Sequence, residues 1–287
     1  MPHFQPYESV PPYGLTDELA ARAERLGMLD NFREIQEQGY MVLQDVAPMA
    51  VTDAIREAIL RQVQETEGRA KGRTAALLLG RDPAFEAAVV NPKLLTMVEY
   101  LCGQGALLSQ LQGSVRPQGE GYLGIHADQN WIPAPFPPHN QLMTACWVTD
   151  PFTEETGATK VIPGSHRLRR HPSPEEIQAA EGAVAIEAPK GAIAVWDGAV
   201  WHGNYPRKVP GERVVLHMTY SRLALRPLED YSHLGQDFLA RNPPEMASLL
   251  GRNDVFGSTT ATSGGVDMEK FRRTALMSKG HYSADPV

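Results

Sequence analysis

The stretch LLSQLQGSV, residues 107–115, opens the part of the chain that decides the fold. Further short runs of apolar and β-branched residues follow it, at 122–128, 143–148, 183–188, 192–196 and 213–221. Glycine and proline separate these runs, as in Pro163-Gly164 and Pro210-Gly211. Several short strands with turns at close intervals predict an antiparallel sandwich or barrel.

The first third of the chain favours helices instead. Apolar residues recur at helical spacing in residues 15–28 and 51–66. Asp30 and Asn91 are suited to begin two more helices. Residues 40–43 form the first predicted strand. Helices first and strands afterwards predict an α+β, mainly β arrangement in which the helices buttress one sheet.

We expect a single catalytic domain over residues 1–287. Residues 1–104 are expected to form a mainly helical layer. Residues 105–222 are expected to form a strand-rich barrel core with a metal site, and residues 223–287 a C-terminal extension. Within the extension, residues 257–265 are rich in Gly, Ser and Thr and are typical of a loop that could act as a lid. A last helix is predicted at 267–277.

Composition excludes several functional classes. The formal net charge is −7 and the chain has no long Lys/Arg run, which argues against nucleic-acid and membrane-surface binding. No apolar run is long enough to span a membrane, and the first fourteen residues lack the order of a signal peptide. Cys102 and Cys146 lie in apolar runs and read as reduced core thiols of a cytoplasmic protein.

A possible metal site begins at His126 and Asp128. Side chains two residues apart on a strand point to the same face, so both can reach one metal ion. Two histidines and one carboxylate form the facial triad that leaves positions open on Fe(II). The His-x-Asp pattern alone occurs by chance in many proteins, and a second histidine from a distant strand is needed. His202, which follows a predicted turn, supplies it.

Arg213 begins a strand that is otherwise apolar on both faces. A buried arginine needs an anionic partner, and its guanidinium binds a carboxylate through two hydrogen bonds. A dicarboxylate co-substrate would meet that need. The alternative is a protein carboxylate at the edge of the sheet.

The ordered motifs around these residues resemble one family. They are GIHADQ at 124–129, Gly157-Ala158 before IPGSH at 162–166, Gly191 before WDG at 196–198, HGN at 202–204 and Arg213, with GYMVL at 39–43 upstream. The set is similar to that of the phytanoyl-CoA dioxygenase family of Fe(II)/2-oxoglutarate oxygenases, over about residues 31–222. This resemblance implies a double-stranded β-helix, also called a jelly roll or cupin-like barrel.

The resemblance also implies roles for individual residues. His126, Asp128 and His202 would bind iron, and Arg213 would bind the distal carboxylate of 2-oxoglutarate. Asn204 stands where the family often has a serine that contacts the co-substrate. Trp147 resembles a family aromatic beside the co-substrate, although it could equally be core.

Four further residues are expected to border the pocket because of where they lie in the sequence. Gln110 and Gln112 share one face of the preceding strand and could line it, Gln112 towards the co-substrate, although surface exposure is the alternative. Trp131 and Phe136 lie in the proline-rich loop after the metal strand and are expected at the mouth. His166 is expected to hold a turn, and His217 to be a core histidine with one hydrogen bond.

The expected activity uses Fe(II), 2-oxoglutarate and O2 to oxidise a small or medium-sized metabolite, with release of succinate and CO2. Asp128 favours hydroxylation, or another oxidation such as desaturation or ring formation, because related halogenases lack this carboxylate. The alternatives are a non-catalytic metal- or ligand-binding barrel, an acyl-CoA hydroxylase, and a zinc hydrolase with the same ligands. The sequence leaves the prime substrate open, and the chain could be a monomer or a homodimer.

Overall fold

A computed structural model describes residues 16–66 and 73–254 of the chain. Its helices are α1 (Asp17–Arg25), α2 (Leu29–Gln38), α3 (Met49–Thr66), α4 (Pro83–Val89), α5 (Pro92–Cys102), α6 (Pro174–Ala179), α7 (Gln236–Ala240) and α8 (Pro244–Leu249). Its strands are β1 (Tyr40–Leu43), β2 (Thr74–Ala75), β3 (Leu107–Pro117), β4 (Leu123–His126), β5 (Leu142–Val148), β6 (Thr159–Val161), β7 (Val184–Ala185), β8 (Ile193–Asp197), β9 (His202–Asn204) and β10 (Glu212–Ser221).

The helix ends follow from local chemistry. Thr16 caps α1 by accepting a hydrogen bond from the Leu19 amide at 3.2 Å. Asn91 caps α5 in the same way, and Pro92 occupies its first turn. Gly39 ends α2 with a φ of 82°, a conformation that side-chain-bearing residues rarely adopt. The chain then turns directly into β1.

The strands form two antiparallel sheets. The larger has the order β1-β8-β5-β10-β3-β2, and the smaller has the order β4-β9-β6-β7. β10 lies at the centre of the larger sheet, paired with β3 on one side and β5 on the other. Apolar side chains of β5, β8 and β10 pack between the two sheets with residues of β6, including Cys146, Ala194, Val215 and Val161.

The opposite face of the larger sheet carries the helices. Met143, Val195 and Leu216 of that face pack with Ile59 of α3 and Leu101 of α5 in the main core cluster. Helices on one face therefore buttress the sheet, as the sequence predicts, and the other face is left for the smaller sheet. No helix in the described ranges is both long and apolar enough to cross a membrane.

Several predicted boundaries shift. The run 122–128 forms a strand only as far as His126, so Asp128 lies just beyond β4. The run 183–188 shortens to β7, with an isolated bridge from Ala188 to Phe152. The described part of the extension packs on the helical layer, where Arg241 pairs with Glu86. The predicted lid at 257–265 and helix at 267–277 lie outside the described residues.

Candidate metal and 2-oxoglutarate site

Three side chains converge between β4 and β9. His126 ends β4, His202 begins β9, and the two residues are direct partners in the antiparallel pair. Asp128 Oδ1 lies 3.5 Å from Nε2 of His126 and 3.5 Å from Nε2 of His202. One ligand atom from each residue lies within 4.8 Å of the other two, the spacing of a metal-binding cluster.

Both imidazole rings are oriented by the backbone. Nδ1 of His126 lies 3.0 Å from the Gly124 carbonyl, and Nδ1 of His202 lies 3.1 Å from the Val200 carbonyl. A carbonyl oxygen only accepts, so each Nδ1 carries a proton, and in the neutral form of each ring the lone pair is on Nε2. The free lone pairs thus point at the centre of the cluster, as metal ligation requires.

The second oxygen of Asp128 is held separately. Thr144 Oγ1 donates to Oδ2 at 2.8 Å, and Trp196 Nε1 donates to the same oxygen at 3.1 Å. Oδ1 has no hydroxyl or indole donor in the described part of the chain and faces the two histidines. The carboxylate is therefore fixed so that a single oxygen is presented to a metal ion.

Asp128, His126 and His202 influence one another's pKa values. Burial alone would raise the pKa of Asp128, but His202, His126 and Thr144 outweigh burial and lower it. Burial also disfavours protonation of both histidines. At His126 burial is the largest single cause, but the hydrogen bond and attraction to Asp128, with the backbone of Gly124 and His202, together outweigh it and raise the pKa. At His202 burial prevails and lowers the pKa. The site therefore keeps an ionised carboxylate beside neutral His202.

A glycine allows β4 and β9 to approach each other closely. A Cβ atom on Gly203 would lie 2.3 Å from the Leu123 carbonyl oxygen and 2.9 Å from the Gly124 oxygen. Such contacts are shorter than real Cβ atoms show, so only glycine fits between His202 and Asn204 at this register. The Gly124 carbonyl is the one that orients His126, so this close approach bears directly on ligand geometry.

Arg213 faces the same cavity as the triad and is only 2% exposed. Its Nε and Nη1 atoms are buried and have no hydrogen-bond partner in the described part of the chain. Burial, with contributions from Arg116 and Arg207, lowers the pKa of its guanidinium to about 10. Buried donors without acceptors are costly, and a carboxylate would satisfy two of them at once.

The cavity measures about 220 Å³ and brings most of the predicted site residues together. Its predicted lining residues are His126, Asp128, His202, Arg213, Asn204, Gln110 and Gln112. Two histidine nitrogens, one carboxylate oxygen and an open cavity beside them form the donor set that suits Fe(II). The residues present therefore fit the iron and the dicarboxylate that the resemblance implies.

Three predicted residues lie elsewhere. Trp147 points to the other face of β5, among the helices, where its Nε1 donates to Thr52 at 3.0 Å. Phe136 lies in the loop after β4 and is fully buried, edge-on to His171 at 4.9 Å between ring centroids. Trp131 is 69% exposed and does not line the cavity. Trp147 thus follows the core alternative, and neither Phe136 nor Trp131 is among the residues that line the cavity.

Sequence reasoning missed several other lining residues. Ser114 and Arg116 continue the row of Gln110 and Gln112 on β3, and Thr144, Thr159, Trp196 and Thr219 come from other strands. The alternation of polar and apolar residues along β3 was the available signal, since it places every second side chain on one face. This alternation continues to Arg116, one residue beyond the end of the predicted strand at residue 115.

The other histidines differ in part from expectation. His166 lies in a 3-10 turn, Ser165–Leu168, and its Nε2 contacts the Gln36 carbonyl at 3.1 Å, which ties the turn to α2. His217 lines the cavity and has two polar neighbours rather than one. Its Nδ1 lies 3.1 Å from Cys146 Sγ, and its Nε2 lies 3.2 Å from Ser114 Oγ.

Comparison with known proteins agrees with this site. The family model for phytanoyl-CoA dioxygenase (PhyH) matches residues 35–215. The uncharacterised protein Rv1501 of Mycobacterium tuberculosis is 26% identical over 227 residues, which cover 74% of this chain and 82% of the relative. The protein named dioxygenase af480 of Aspergillus fumigatus is 26% identical over 249 residues, covering 80% of this chain and 79% of its own.

Solved structures share the fold. EctD from S. alaskensis, in a crystal structure with 2-oxoglutarate and 5-hydroxyectoine, superposes with a TM-score of 0.59 at 18% identity, covering 69% of this chain and 77% of EctD. HygX from Streptomyces hygroscopicus, with nickel and 2-oxoglutarate, has a TM-score of 0.58 at 15% identity, covering 78% and 94%. The two facing sheets are thus those of a jelly roll.

The family match covers more than half of the chain and includes all three metal-binding candidates and Arg213. This chain therefore belongs to the phytanoyl-CoA dioxygenase family and is a 2-oxoglutarate-dependent non-haem iron dioxygenase.

Proposed function

We propose that this enzyme hydroxylates a small or medium-sized, partly apolar metabolite, with conversion of 2-oxoglutarate to succinate and CO2. His126, Asp128 and His202 would hold the iron, and Arg213 with Asn204 would hold the co-substrate. The observation that carries the proposal is that Arg213, in the same cavity as the triad, has two buried guanidinium nitrogens without a partner among the described residues. Residues 1–287 would act as one catalytic domain, in a cytoplasmic protein.

The protein residues bind, orient and exclude water. When bound, iron supplies the activation of O2 that couples decarboxylation of the co-substrate to oxidation of the substrate. Arg213 would bind the distal carboxylate and so direct the 2-oxo acid end towards the triad. Asp128 would offer only Oδ1 to the metal, because Thr144 and Trp196 both donate to Oδ2.

The alternatives explain less of the site. A zinc hydrolase would leave the buried donors of Arg213 without an acceptor. A non-catalytic barrel would not require the metal-binding triad and Arg213 to share one cavity. An acyl-CoA thioester would need a basic cluster for its phosphates, and Arg167, Arg169 and Arg170 are the compact candidates. Those arginines already bind the Gln36 carbonyl, the Phe136 carbonyl and Glu176 respectively. A free metabolite is therefore the better match.

The test is a metabolite screen with anaerobically iron-loaded enzyme, 2-oxoglutarate, O2 and ascorbate. We expect about one Fe(II) per chain, succinate release, and a substrate mass gain of one oxygen. His126→Ala, Asp128→Ala and His202→Ala should each abolish turnover.

Arg213→Gln should weaken 2-oxoglutarate binding by roughly 2–5 kcal/mol with the fold intact. Arg33→Gln, at an exposed arginine that pairs with Asp30 on α2, is the matched control and should bind the co-substrate normally. Unchanged co-substrate binding in Arg213→Gln would assign this arginine to structure alone.

A further inference from the structure

A second arginine in the cavity has no role in the site described so far. Arg116 lies directly opposite Arg213 in the β3–β10 pair. Directly opposed residues of adjacent strands project from the same face of the sheet, and both arginines line the cavity. Two like charges at opposed positions repel each other, so this pairing needs a compensating negative charge.

The described residues do not provide that charge. Asp128 is the only carboxylate among the residues that line the cavity, and it is committed to the two histidines. The Arg116 side chain makes no ion pair or hydrogen bond within the described ranges. Arg207, another cation near Arg213, does not line the cavity, and its guanidinium donates to the carbonyls of Pro210, Gly211 and Thr156.

Formal charges show that the co-substrate alone cannot balance the cavity. A divalent iron, the Asp128 carboxylate, a dianionic 2-oxoglutarate and the Arg213 guanidinium together sum to zero. Among the charged side chains that line the cavity, Arg116 adds one further positive charge to this sum, in a partly buried position. One carboxylate matches that remainder, whereas a phosphate dianion would exceed it.

The surroundings of Arg116 suit an amphipathic molecule. Gln112 and Gln110 continue its row along β3 and offer amide groups to the same cavity. At the opposite wall Leu123 lines the cavity while 46% exposed, and its neighbour Tyr122 is 67% exposed. Apolar surface at the rim of a polar cavity favours a ligand with an apolar body.

We propose that Arg116 binds a carboxylate of the prime substrate, so that the enzyme takes a metabolite with one carboxylate and an apolar body. This inference rests on the proposed function and adds the substrate class to it. Arg213, which is almost fully buried, would keep the co-substrate, and the less buried Arg116 would meet the substrate.

The experiment uses matched neutral and charged probes on the full chain loaded with Co(II) and 2-oxoglutarate. Binding of 4-phenylbutyrate and of 4-phenylbutyramide is measured by titration calorimetry. We expect wild type to bind the acid at least tenfold more tightly than the amide. Arg116→Gln should remove this preference, and Arg116→Lys should retain part of it.

Lys208→Gln is the control for net charge, because Lys208 is a surface cation that pairs with Glu154 and Glu155 outside the cavity. It should keep the preference for the acid. Equal binding of acid and amide by wild type, or no binding of either, would overturn the proposal.

Loading with 2-oxoglutarate is titrated first, without probe. A failure of wild type to bind the co-substrate would contradict the proposed function, whatever the probes do. If Arg116→Gln loses co-substrate affinity tenfold yet still prefers the acid, Arg116 belongs to the co-substrate site and the inference about substrate is wrong.

Discussion

The indole nitrogen of Trp196 donates a hydrogen bond to Asp128 Oδ2 at 3.1 Å, on the oxygen that faces away from the two histidines. The same ring lies 4.9 Å from the His202 ring, centroid to centroid. One side chain therefore orients the carboxylate ligand and packs against a histidine ligand. Side chains that orient metal ligands without touching the metal typically contribute about 10- to 100-fold to metal affinity.

Trp196→Phe should weaken metal binding about 10- to 100-fold, because it removes the donor to Asp128 and keeps an aromatic ring beside His202. Calorimetric titration with Mn(II) measures this directly. Trp147→Phe is the matched control, since Trp147 donates to Thr52 on the helical side of β5 and does not touch the site. Equal metal affinities in the two variants would show that the Trp196 bond is unimportant.

Gly203→Ala should also impair metal binding, by a different route. The new methyl group would lie 2.3 Å from the Leu123 carbonyl, so β4 must move away from β9 and take His126 with it. Gly124→Ala is the control on the facing strand, where a Cβ would meet only Ile177 at 3.5 Å. We expect Mn(II) affinity to fall in the first variant and stay normal in the second. Normal affinity in Gly203→Ala would mean that the strands adapt.

The sequence predicts the metal ligands and Arg213 better than it predicts the residues around them, for physical reasons. His126, Asp128, His202 and Arg213 are recognisable because metal ligation and buried charge demand particular residue types at particular places. Trp147 is different: every residue of β5 is buried, so alternation cannot tell the cavity face from the helical face. Its position depends on how the helices pack, which local pattern does not encode.

Loops and strand ends were the other source of error. Phe136 lies in an irregular loop, where neither strand nor helix periodicity indicates which side is buried. Arg116 was missed because the predicted strand stopped at residue 115, whereas β3 continues to Pro117. The helical layer and the two-sheet core were predictable, since long amphipathic runs and short apolar runs report directly on burial.

The corrected positions of Phe136 and Trp131 lead to opposite expectations for stability. Phe136→Ala should lower the free energy of unfolding by about 3–5 kcal/mol, because a fully buried ring leaves a cavity. Trp131→Ala should change it by less than about 0.5 kcal/mol, since that side chain is largely exposed. Urea denaturation of the two variants tests both. Similar losses in both would place Trp131 in the packed core as well.

His217 should make stability depend on pH. Burial, followed by the positive charges of Arg213 and Arg116, lowers the pKa of its ring from the usual 6.5 to about 3. In the unfolded chain the ring takes up a proton as the pH falls below 6.5, while in the folded chain it stays neutral until about pH 3. The unfolded state therefore binds more protons in this window. Stability is lost as the pH falls from 6.5 towards 3, by at most about 1.4 kcal/mol per pH unit from this one group.

His217→Asn should flatten that slope between pH 6.5 and 4, because the new side chain does not titrate. The measurement is urea denaturation across this range in metal-free protein with a chelator, so that metal release does not contribute. His233→Asn, at an exposed histidine in the described part of the extension, should leave the slope as in wild type. If the wild-type and His217→Asn slopes coincide, the ring is protonated in the folded protein, and the neutral contacts with Cys146 and Ser114 do not persist there.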